Sequence, residues 1–232
     1  MGKPKKSWEN NEGLPTEHFD KISQLLIEDE YMTLLQAVNQ TLEDDNIIIS
    51  QDFFKKYSFM LPDVMTYARA FKRDKLIINL CESGLAIMIY GKNWDILQKQ
   101  YDNLDYKGIG SSKETNVLIN RVKIVINNNT NFTQGAHERV FTAVSSGAVV
   151  FSDRSTYYDK IFKDEESMLF YDINTIDTDI NKIKKYLQDD KALYNIALKA
   201  YTHYDKTQRW EHRVDDMLKL IKLNKVIQQI EI

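Results

Sequence analysis

The sequence contains very little cysteine, and its histidines are scattered. Cys81 is the single cysteine among 232 residues, so it has no partner for an intramolecular disulfide. No other cysteine or histidine stands beside it at metal-ligand spacing, and His203 and His212 are too far apart to bind one ion from a single helical turn. We therefore expect Cys81 to be a small core residue and the protein to hold no metal ion.

The sequence also lacks a long apolar run and a large excess of charge of either sign. No stretch approaches the roughly 20 apolar residues of a membrane span, and the polar residues 1–6 lack the apolar core of a secretory signal. These absences predict a cytoplasmic protein with no membrane span. The 31 basic and 34 acidic residues give a formal net charge of -3, which provides no reason to expect a nucleic-acid partner.

Glycine is sparse, with eight residues in the chain, and no Gly-x-Gly-x-x-Gly motif follows an apolar run typical of a strand. In dinucleotide-binding enzymes that motif lets the backbone approach a pyrophosphate at the start of a helix. A Rossmann-like oxidoreductase is therefore the least favoured alternative. Two of the three prolines lie within residues 1–16, where apolar residues are few, which predicts a flexible lead-in.

Residues 17–66 have the pattern of a helical extension. Their first half carries apolar residues at helical spacing, which predicts one long or two consecutive amphipathic helices. A second helical region runs from about 52 to 81, with an interruption at Pro62, and Gly84 suits its C-terminal end. The apolar faces of the N-terminal helices need a cover, for which a partner chain is one candidate.

From residue 67 onward, strands and helices alternate. Apolar runs typical of buried strands lie at 85–90, 122–127 and 148–152, with a further candidate strand at 168–171. Helical patterns lie between them, at about 112–120 and 136–145, and three more follow residue 171. This alternation predicts an α/β fold for residues 67–232, in which a mostly parallel, Rossmann-like sheet carries helices on both faces and ends in terminal helices.

The most informative segment lies between Asn127 and Asp153. A predicted strand ends at Asn127, a polar loop follows, and a helix begins near His137, at the kind of edge where open α/β sheets bind ligands. Free backbone N–H groups and the helix dipole favour an anion there. Gly135 permits a close approach, and His137 and Arg139 supply donors or charge. These features predict a phosphate or diphosphate site.

The same segment resembles a known family. His-Glu-Arg-Val-Phe at 137–141, followed by 143–150, is similar to the signature of the group 1 glycosyltransferases related to spore-maturation proteins. The likeness covers roughly residues 67–217. Other features that agree in order are Arg73 with Leu76, Tyr90-Gly91 followed by Trp94, the stretch 106–108, the strand into Asn127, and Trp210 with Arg213.

The resemblance implies a GT-B architecture, in which two Rossmann-like domains face a cleft. The C-terminal domain binds a nucleotide-diphosphate sugar, usually without an obligatory metal, and the N-terminal domain holds most of the acceptor, which is a glycan, protein or lipid. Residues before 67 are too few and too helical for a complete acceptor domain. We therefore expect the donor-binding half of a hexosyl or related transferase, as a fragment or a reduced relative.

The resemblance also implies roles for individual residues. His137 and Arg139 are expected to contact the diphosphate, and Glu138 and Thr142 the ribose or sugar. No catalytic residue is assigned, because the general base normally comes from the acceptor-binding half. The predicted donor-binding residues are Gly91 and Trp94 at the nucleotide edge of the cleft, then Asn128, Gly135, His137, Glu138, Arg139 and Thr142.

One departure from the family pattern keeps alternatives open. Many related transferases carry two glutamates with seven residues between them, and the second serves the ribose hydroxyls. The matching positions are Gln134 and Thr142, which form hydrogen bonds without charge, so Glu138 is a candidate substitute. The alternative hypothesis is a catalytically silent module that binds a nucleotide sugar or serves in assembly. Trp94 also has a purely structural interpretation, as a core aromatic.

Overall fold

Three helices precede the first strand. The computed structural model describes residues 4–9, 15–46 and 50–230, and these helices are α1 (Thr16–Glu28), α2 (Leu34–Asp44) and α3 (Gln51–Glu82). Of the two arrangements predicted for the first region, two separate helices are observed. The Thr33 hydroxyl accepts the backbone N–H of Gln36 at 3.2 Å, and the Gln36 side chain accepts the N–H of Thr33 at 3.0 Å. This capping box starts α2 as a separate helix.

Part of the predicted flexible lead-in is packed against these helices. The Trp8 side chain is fully buried, and its indole N–H donates to Asp20 at 2.9 Å. The Lys6 ammonium forms an ion pair with the same carboxylate at 2.8 Å. Residues 1–3 and 10–14 of the lead-in lie outside the described residues. A buried tryptophan orders the segment around it because its large apolar surface leaves water.

The helix α3 is continuous through Pro62 and through the predicted boundary at 66/67, so the interruption expected at the proline does not occur. Buried residues on both sides of the proline, including Tyr57 and Val64, belong to one hydrophobic cluster with α1. Their burial keeps both halves on one axis despite the hydrogen bond that proline cannot donate. The buried apolar side chains of α1 and α2, for which a partner chain was one candidate cover, belong to the same cluster within this chain.

The described part of the chain contains five parallel strands in two sheets. In one sheet β1 (Ile87–Ile89) pairs with β2 (Leu104–Tyr106); in the other the order is β3 (Ile124–Asn127), β4 (Val149–Ser152) and β5 (Leu169–Phe170). The intervening helices are α4 (Asp95–Gln98), α5 (Ser112–Ile119), α6 (Glu138–Ser145) and α7 (Thr156–Ile161). This arrangement confirms the α/β fold, with the parallel strands divided between two sheets.

Burial along the strands follows their position. All four residues of β4 are buried, because this strand pairs on both sides and is covered on both faces. In β1, by contrast, Met88 is 44% exposed, so the prediction of a strand buried on both faces is wrong there. The side chains of Ile87 and Ile124 nevertheless pack against the same hydrophobic core, which joins the two sheets into one layer of apolar packing.

Three helices complete the described chain, as predicted: α8 (Ile176–Leu187), α9 (Asp190–Thr207) and α10 (Trp210–Ile230). The first two bury one apolar face each against the sheets, whereas α10 is exposed over most of its length. Among the described helices, none is both long and apolar enough to cross a membrane.

Candidate functional site

The loops that follow β1 and β3 are brought together along α3. β1 pairs with β2 and β3 with β4, in both cases in parallel, and ligands bind at the carboxyl ends of the strands in open α/β folds. The Arg73 guanidinium lies 5.5 Å from the ring centre of Trp94, which follows β1. Arg69, one turn earlier, interacts electrostatically with His137, which follows β3. One face of α3 therefore contributes two arginines to this edge.

The N-terminus of α6 carries no side-chain cap. His137 occupies the capping position in an extended conformation, but its side chain accepts no hydrogen bond from the first turn. Ser111 and Ser155 do cap α5 and α7 in this way. A helix start exposes backbone N–H groups and the positive end of the helix dipole. At α6 these groups, which belong to Glu138 and Arg139, are therefore free of a side-chain competitor for an anion.

Exposed arginines stand beside this helix start. Arg69 and Arg139 are both exposed, and both lie close enough to His137 to affect its titration. Within the described chain, arginine ion pairs involve positions 73, 154 and 209, and neither Arg69 nor Arg139 takes part in one. Two cations without carboxylate partners next to a helix N-terminus form a local positive field that suits a diphosphate.

His137 is exposed overall, but partial burial of its imidazole lowers the pKa, and the charges of Arg139 and Arg69 lower it further. The ring of Phe132 lies 5.7 Å from the imidazole, centre to centre, and removes water from one side of it. The imidazole is therefore neutral at pH 7, and a neutral imidazole both donates and accepts a hydrogen bond. An anion bound at this edge would favour the protonated form, because it offsets the charge of the two arginines.

A chain of hydrogen bonds fixes the start of α6 to the protein interior. The backbone N–H of His137 donates to the Tyr158 hydroxyl at 3.0 Å, and that hydroxyl donates to Asn129 Oδ1 at 3.3 Å. The backbone N–H of Asn129 donates to Asp153 at 2.6 Å. Burial raises the pKa of Asp153 to about 6, although this hydrogen bond and the Lys72 ammonium oppose the rise. The position of α6 thus depends on a buried carboxyl group.

Of the residues predicted after β1, one is a core residue. Trp94 is 4% exposed and packs into the main hydrophobic cluster, which agrees with its interpretation as a core aromatic. Gly91 adopts a φ of 138°, a backbone conformation that favours glycine. Its N–H donates to the Gly108 carbonyl at 2.8 Å, and its carbonyl accepts from the Tyr106 hydroxyl at 2.9 Å. Gly91 therefore shapes the turn at this edge.

The remaining predicted residues belong to the loop and the helix after β3. A Cβ atom at Gly135 would lie 2.3 Å from the Phe132 ring. The ring therefore occupies the space beside Gly135 through which a phosphate was expected to approach the backbone. The Asn128 amide donates to the Tyr171 hydroxyl at 3.3 Å, and the Thr142 hydroxyl donates to the Glu138 carbonyl at 3.1 Å. Both side chains are half-buried. Glu138, Arg139 and His137 are the predicted residues of this region with exposed side chains.

The connection between α1 and α2 covers the carboxyl ends of β3, β4 and β5. The Asn131 side-chain amide donates to the Leu26 carbonyl at 3.3 Å, and the backbone N–H of Arg154 donates to the Glu30 carboxyl group at 3.3 Å. The Tyr31 hydroxyl donates to Asp159 at 2.6 Å. These contacts close that part of the edge, so the accessible part is the one between the ends of β1 and β3.

This covered edge contains a buried group of ionisable side chains. Burial and the nearby charges of Asp153 and Asp172 raise the pKa of Glu30 to about 8. Burial also lowers the pKa of Lys72, which is 2% exposed, although the carboxyl groups around it oppose the change. The protonated Glu30 and the Lys72 ammonium limit the accumulation of negative charge where the helical region meets the sheet.

Sequence reasoning missed several residues that shape this site. Arg69, Asn129 and Tyr158 come from α3, the loop after β3 and α7, and none was singled out. Arg69 had one signal in the sequence, because it stands four residues before Arg73 on a predicted helix and so shares its face. The bonds of Asn129 and Tyr158 depend on how distant segments pack, which local periodicity does not contain.

Two surface cavities of about 340 Å³ lie elsewhere. One opens between α1 and α3, where Lys6 and Phe71 line it, and the other lies beside Tyr204 and Trp210. At the edge beside α6, His137, Glu138 and Arg139 are exposed. The residues described include no group of three or more histidines, cysteines, aspartates or glutamates arranged to hold a metal ion.

Comparison with solved structures identifies a protein with a similar fold. A crystal structure of TarM, a glycosyltransferase, superposes with a TM-score of 0.51 and 16% sequence identity. The match covers 63% of this chain and 31% of the TarM chain, so this chain spans less than a third of the length of that relative. The parallel strands flanked by helices are thus similar to a GT-B glycosyltransferase fold. No curated protein sequence matches the chain significantly.

The sequence itself matches a family model, described as glycosyl transferase-like, over residues 67–219. This segment starts within α3 and ends within α10, so it contains both sheets, Arg69, Arg73 and the whole edge around His137. It includes more than half of the chain, and the chain therefore belongs to the glycosyl transferase-like family.

Proposed function

We propose that this chain is the donor-binding half of a cytoplasmic glycosyltransferase, of the type related to spore-maturation proteins, and that it binds a nucleotide-diphosphate sugar at the N-terminus of α6. The observation that carries the proposal is the uncapped helix start flanked by two arginines that make no ion pair among the described residues. Family membership and the GT-B-like fold support it.

The two arginines would take different positions on the diphosphate. Arg139 lies in the first turn of α6, beside the free backbone N–H groups, and Arg69 lies on α3 and interacts electrostatically with His137. As the sugar leaves, charge accumulates on the diphosphate. Cations and N–H groups fixed before the reaction stabilise that charge more than they stabilise the bound donor. The edge therefore suits departure of a nucleoside diphosphate without a metal ion.

The nucleoside end of the donor would extend toward the turn at Gly91. Glu138 lies between His137 and Arg139, and its carboxylate is exposed. It would accept hydrogen bonds from the ribose or sugar hydroxyls of the donor. Thr142 is half-buried and bonded to its own helix, so we assign it a weaker role. An acceptor-binding half, on a longer chain or another subunit, would hold the glycan, protein or lipid acceptor and supply the general base.

A second candidate function is a catalytically silent module that binds a nucleotide sugar. The observation that favours it is the covering of the β3–β5 edge by the α1–α2 connection, including Glu30 and Tyr31. That cover restricts access to the carboxyl edge on the side where an acceptor could approach. Gln134 and Thr142, in place of the acidic pair, would also reduce the grip on the ribose.

The test is calorimetric titration of the purified chain with UDP-, GDP-, CDP- and ADP-sugars, with and without Mg²⁺. We expect one nucleotide class to bind with the same affinity in both conditions. Arg69→Gln and Arg139→Gln should each weaken binding about tenfold, because each removes a charged hydrogen-bond donor. Arg121→Gln is the matched control, since Arg121 is exposed but lies before β3, at the other end of the strand.

The outcomes separate the two candidates. Binding together with transfer, or slow hydrolysis of the donor, supports the transferase. Binding without either reaction, also when acceptor extracts are added, supports the silent module. The donor site itself is rejected when no sugar nucleotide binds, or when both arginine variants bind as tightly as the Arg121→Gln control.

A further inference from the structure

The helix α10 presents apolar side chains to solvent over most of its length. Every residue from Val214 to Ile227 is exposed. A helix that lacks tertiary contacts is only marginally stable in water at this length, and an apolar surface of this extent marks an interaction site. The large apolar side chains in this stretch are 43–65% exposed: Val214, Met217, Leu218, Leu220, Ile221, Leu223, Val226 and Ile227.

Five apolar residues form one continuous stripe along α10. Trp210, Val214, Met217, Leu218 and Ile221 recur at intervals of three and four residues, so they share one face of the helix. Trp210 is the most exposed of them, at 76%. A stripe with this spacing packs against another helix in the manner of a coiled-coil seam.

The charges beside this stripe are sorted along the helix. At 100° per residue, the flank beside Leu218 carries Glu211 and Asp215 in the N-terminal half and Lys222 in the C-terminal half, and Lys225 lies one turn beyond Ile221 at the C-terminal end of the stripe. In an antiparallel pair with a two-fold axis near Leu218, the acidic half of each helix faces the basic half of the other. A parallel pair would place like charges together, which is unfavourable.

The start of α10 is tied to the rest of the chain, so the stripe has a defined orientation. Arg213 donates to the Tyr157 hydroxyl and to the Gln208 side chain. The Nε2 atom of His212 lies 3.2 Å from the Asp205 carbonyl. These contacts use the side of the helix that faces α7 and α9 and leave the stripe uncovered.

We propose that two copies of this chain associate through an antiparallel α10–α10 contact. Leu218 lies at the two-fold axis, where it meets Leu218 of the second copy. Glu211 and Asp215 of each copy face Lys225 and Lys222 of the other. A closed two-fold interface of this kind is self-complementary, because the same stripe serves both copies. The contact is independent of the donor site.

The first test exchanges the charges in the full-length chain. Lys222→Glu/Lys225→Glu makes the flank wholly acidic, and Glu211→Lys/Asp215→Lys makes it wholly basic. Sedimentation equilibrium should show a dimer for the unchanged chain and, for each variant alone, a dimer dissociation constant raised about tenfold or more. An equimolar mixture of the two variants should recover the dimer as a heterodimer.

A matched control uses charges on the opposite face. Asp216 and Lys219 form an ion pair at 3.3 Å and lie away from the stripe. The exchange Asp216→Lys/Lys219→Glu should leave the dissociation constant unchanged. Circular dichroism of all variants checks that they fold, which we expect because every substituted residue is exposed.

The second test locates the axis by cross-linking. Cys81 is 3% exposed, so an introduced thiol on α10 reacts without competition from it. Leu218→Cys should form a disulfide dimer rapidly under mild oxidation, whereas Leu223→Cys, on the opposite side of the helix, should not. The proposal is overturned when the chain is monomeric up to high micromolar concentration, when the charge mixture stays monomeric, or when Leu223→Cys cross-links as fast as Leu218→Cys.

Discussion

The hydroxyl of Tyr158 accepts a hydrogen bond from the backbone N–H of His137 at 3.0 Å and so holds the residue that begins α6. Tyr158 is fully buried on α7, and its other bond, to Asn129, leads on to the buried carboxyl group of Asp153. The exposed helix start is therefore positioned from the inside of the protein, while its own face remains open to solvent.

Replacement of Tyr158 by phenylalanine should weaken both stability and donor binding. The substitution leaves the His137 N–H and the Asn129 side-chain oxygen without their partner, which we expect to lower the free energy of unfolding by about 1–3 kcal/mol. The start of α6 then becomes less fixed, so donor affinity should also fall. Tyr194→Phe is the control, because Tyr194 is 63% exposed. Denaturant melts and calorimetry measure the two effects; equal results for both variants would contradict the positioning role.

Donor binding should strengthen as the pH falls from 8 to 6. The pKa of His137 is lowered in the free protein by burial and by Arg139 and Arg69, and a bound diphosphate would raise it. Binding therefore takes up a proton. Each unit by which the bound donor raises the pKa of His137 corresponds to about a tenfold higher donor affinity at low pH, where the imidazole is protonated, than at high pH.

Titrations in buffers of different ionisation enthalpy would detect this proton uptake directly. His137→Asn, which keeps a polar side chain without a titratable ring, should bind with little dependence on pH in this range. A pH profile that is the same with and without the imidazole would show that another group is responsible.

Glu30→Gln should stabilise the chain at alkaline pH. The folded-state pKa of Glu30, about 8, lies above its ordinary value of 4.5. The folded state thus binds this proton more tightly than the unfolded state, and the associated stability is complete below about pH 4.5 and is lost as the pH rises through 8. Glutamine cannot ionise, and its side-chain oxygen can still accept the hydrogen bond from the backbone N–H of Arg154.

At pH 9 we therefore expect the variant to exceed the unchanged chain by on the order of 3–5 kcal/mol in the pH-dependent part of the free energy of unfolding, and at pH 5 by less than about 1 kcal/mol. The exposed Glu43 gives the control variant Glu43→Gln. Thermal melts across this pH range provide the measurement, and a stability difference that does not change with pH would rule out titration of Glu30 as the cause.

Gly135→Ala should be destabilising for a packing reason. The added methyl group would lie 2.3 Å from the Phe132 ring, which must move away from its place beside His137. Overpacking of this kind costs about 1–3 kcal/mol, here toward the lower end because the ring is 48% exposed and has room to move. In the double variant with Phe132→Ala, the effect of Gly135→Ala should disappear. Additive effects in this double-mutant cycle would show that the ring is not the obstacle.

Much of the fold followed from local sequence patterns. The apolar run at 148–152 became the fully buried β4, and the strand-to-helix edge after Asn127 lies where the loop residues indicated. The helix expected at about 136–145 is α6, and Gly147, with a φ of 79°, follows its end. The short strand β2 and the helices α4 and α7 were missed, because three to six residues carry too few repeats to establish a period.

The sequence by itself determined the α/β class, the order of the main elements and the segment His137–Val150, because these depend on periods of two and 3.6 residues and on a contiguous motif. Tertiary structure decided what surrounds that segment: Arg69 joins it from α3, Trp94 turns into the core, and the α1–α2 connection covers the β3–β5 edge. The physical reason is that burial and charge depend on which distant segments pack together, and local spacing carries no record of that.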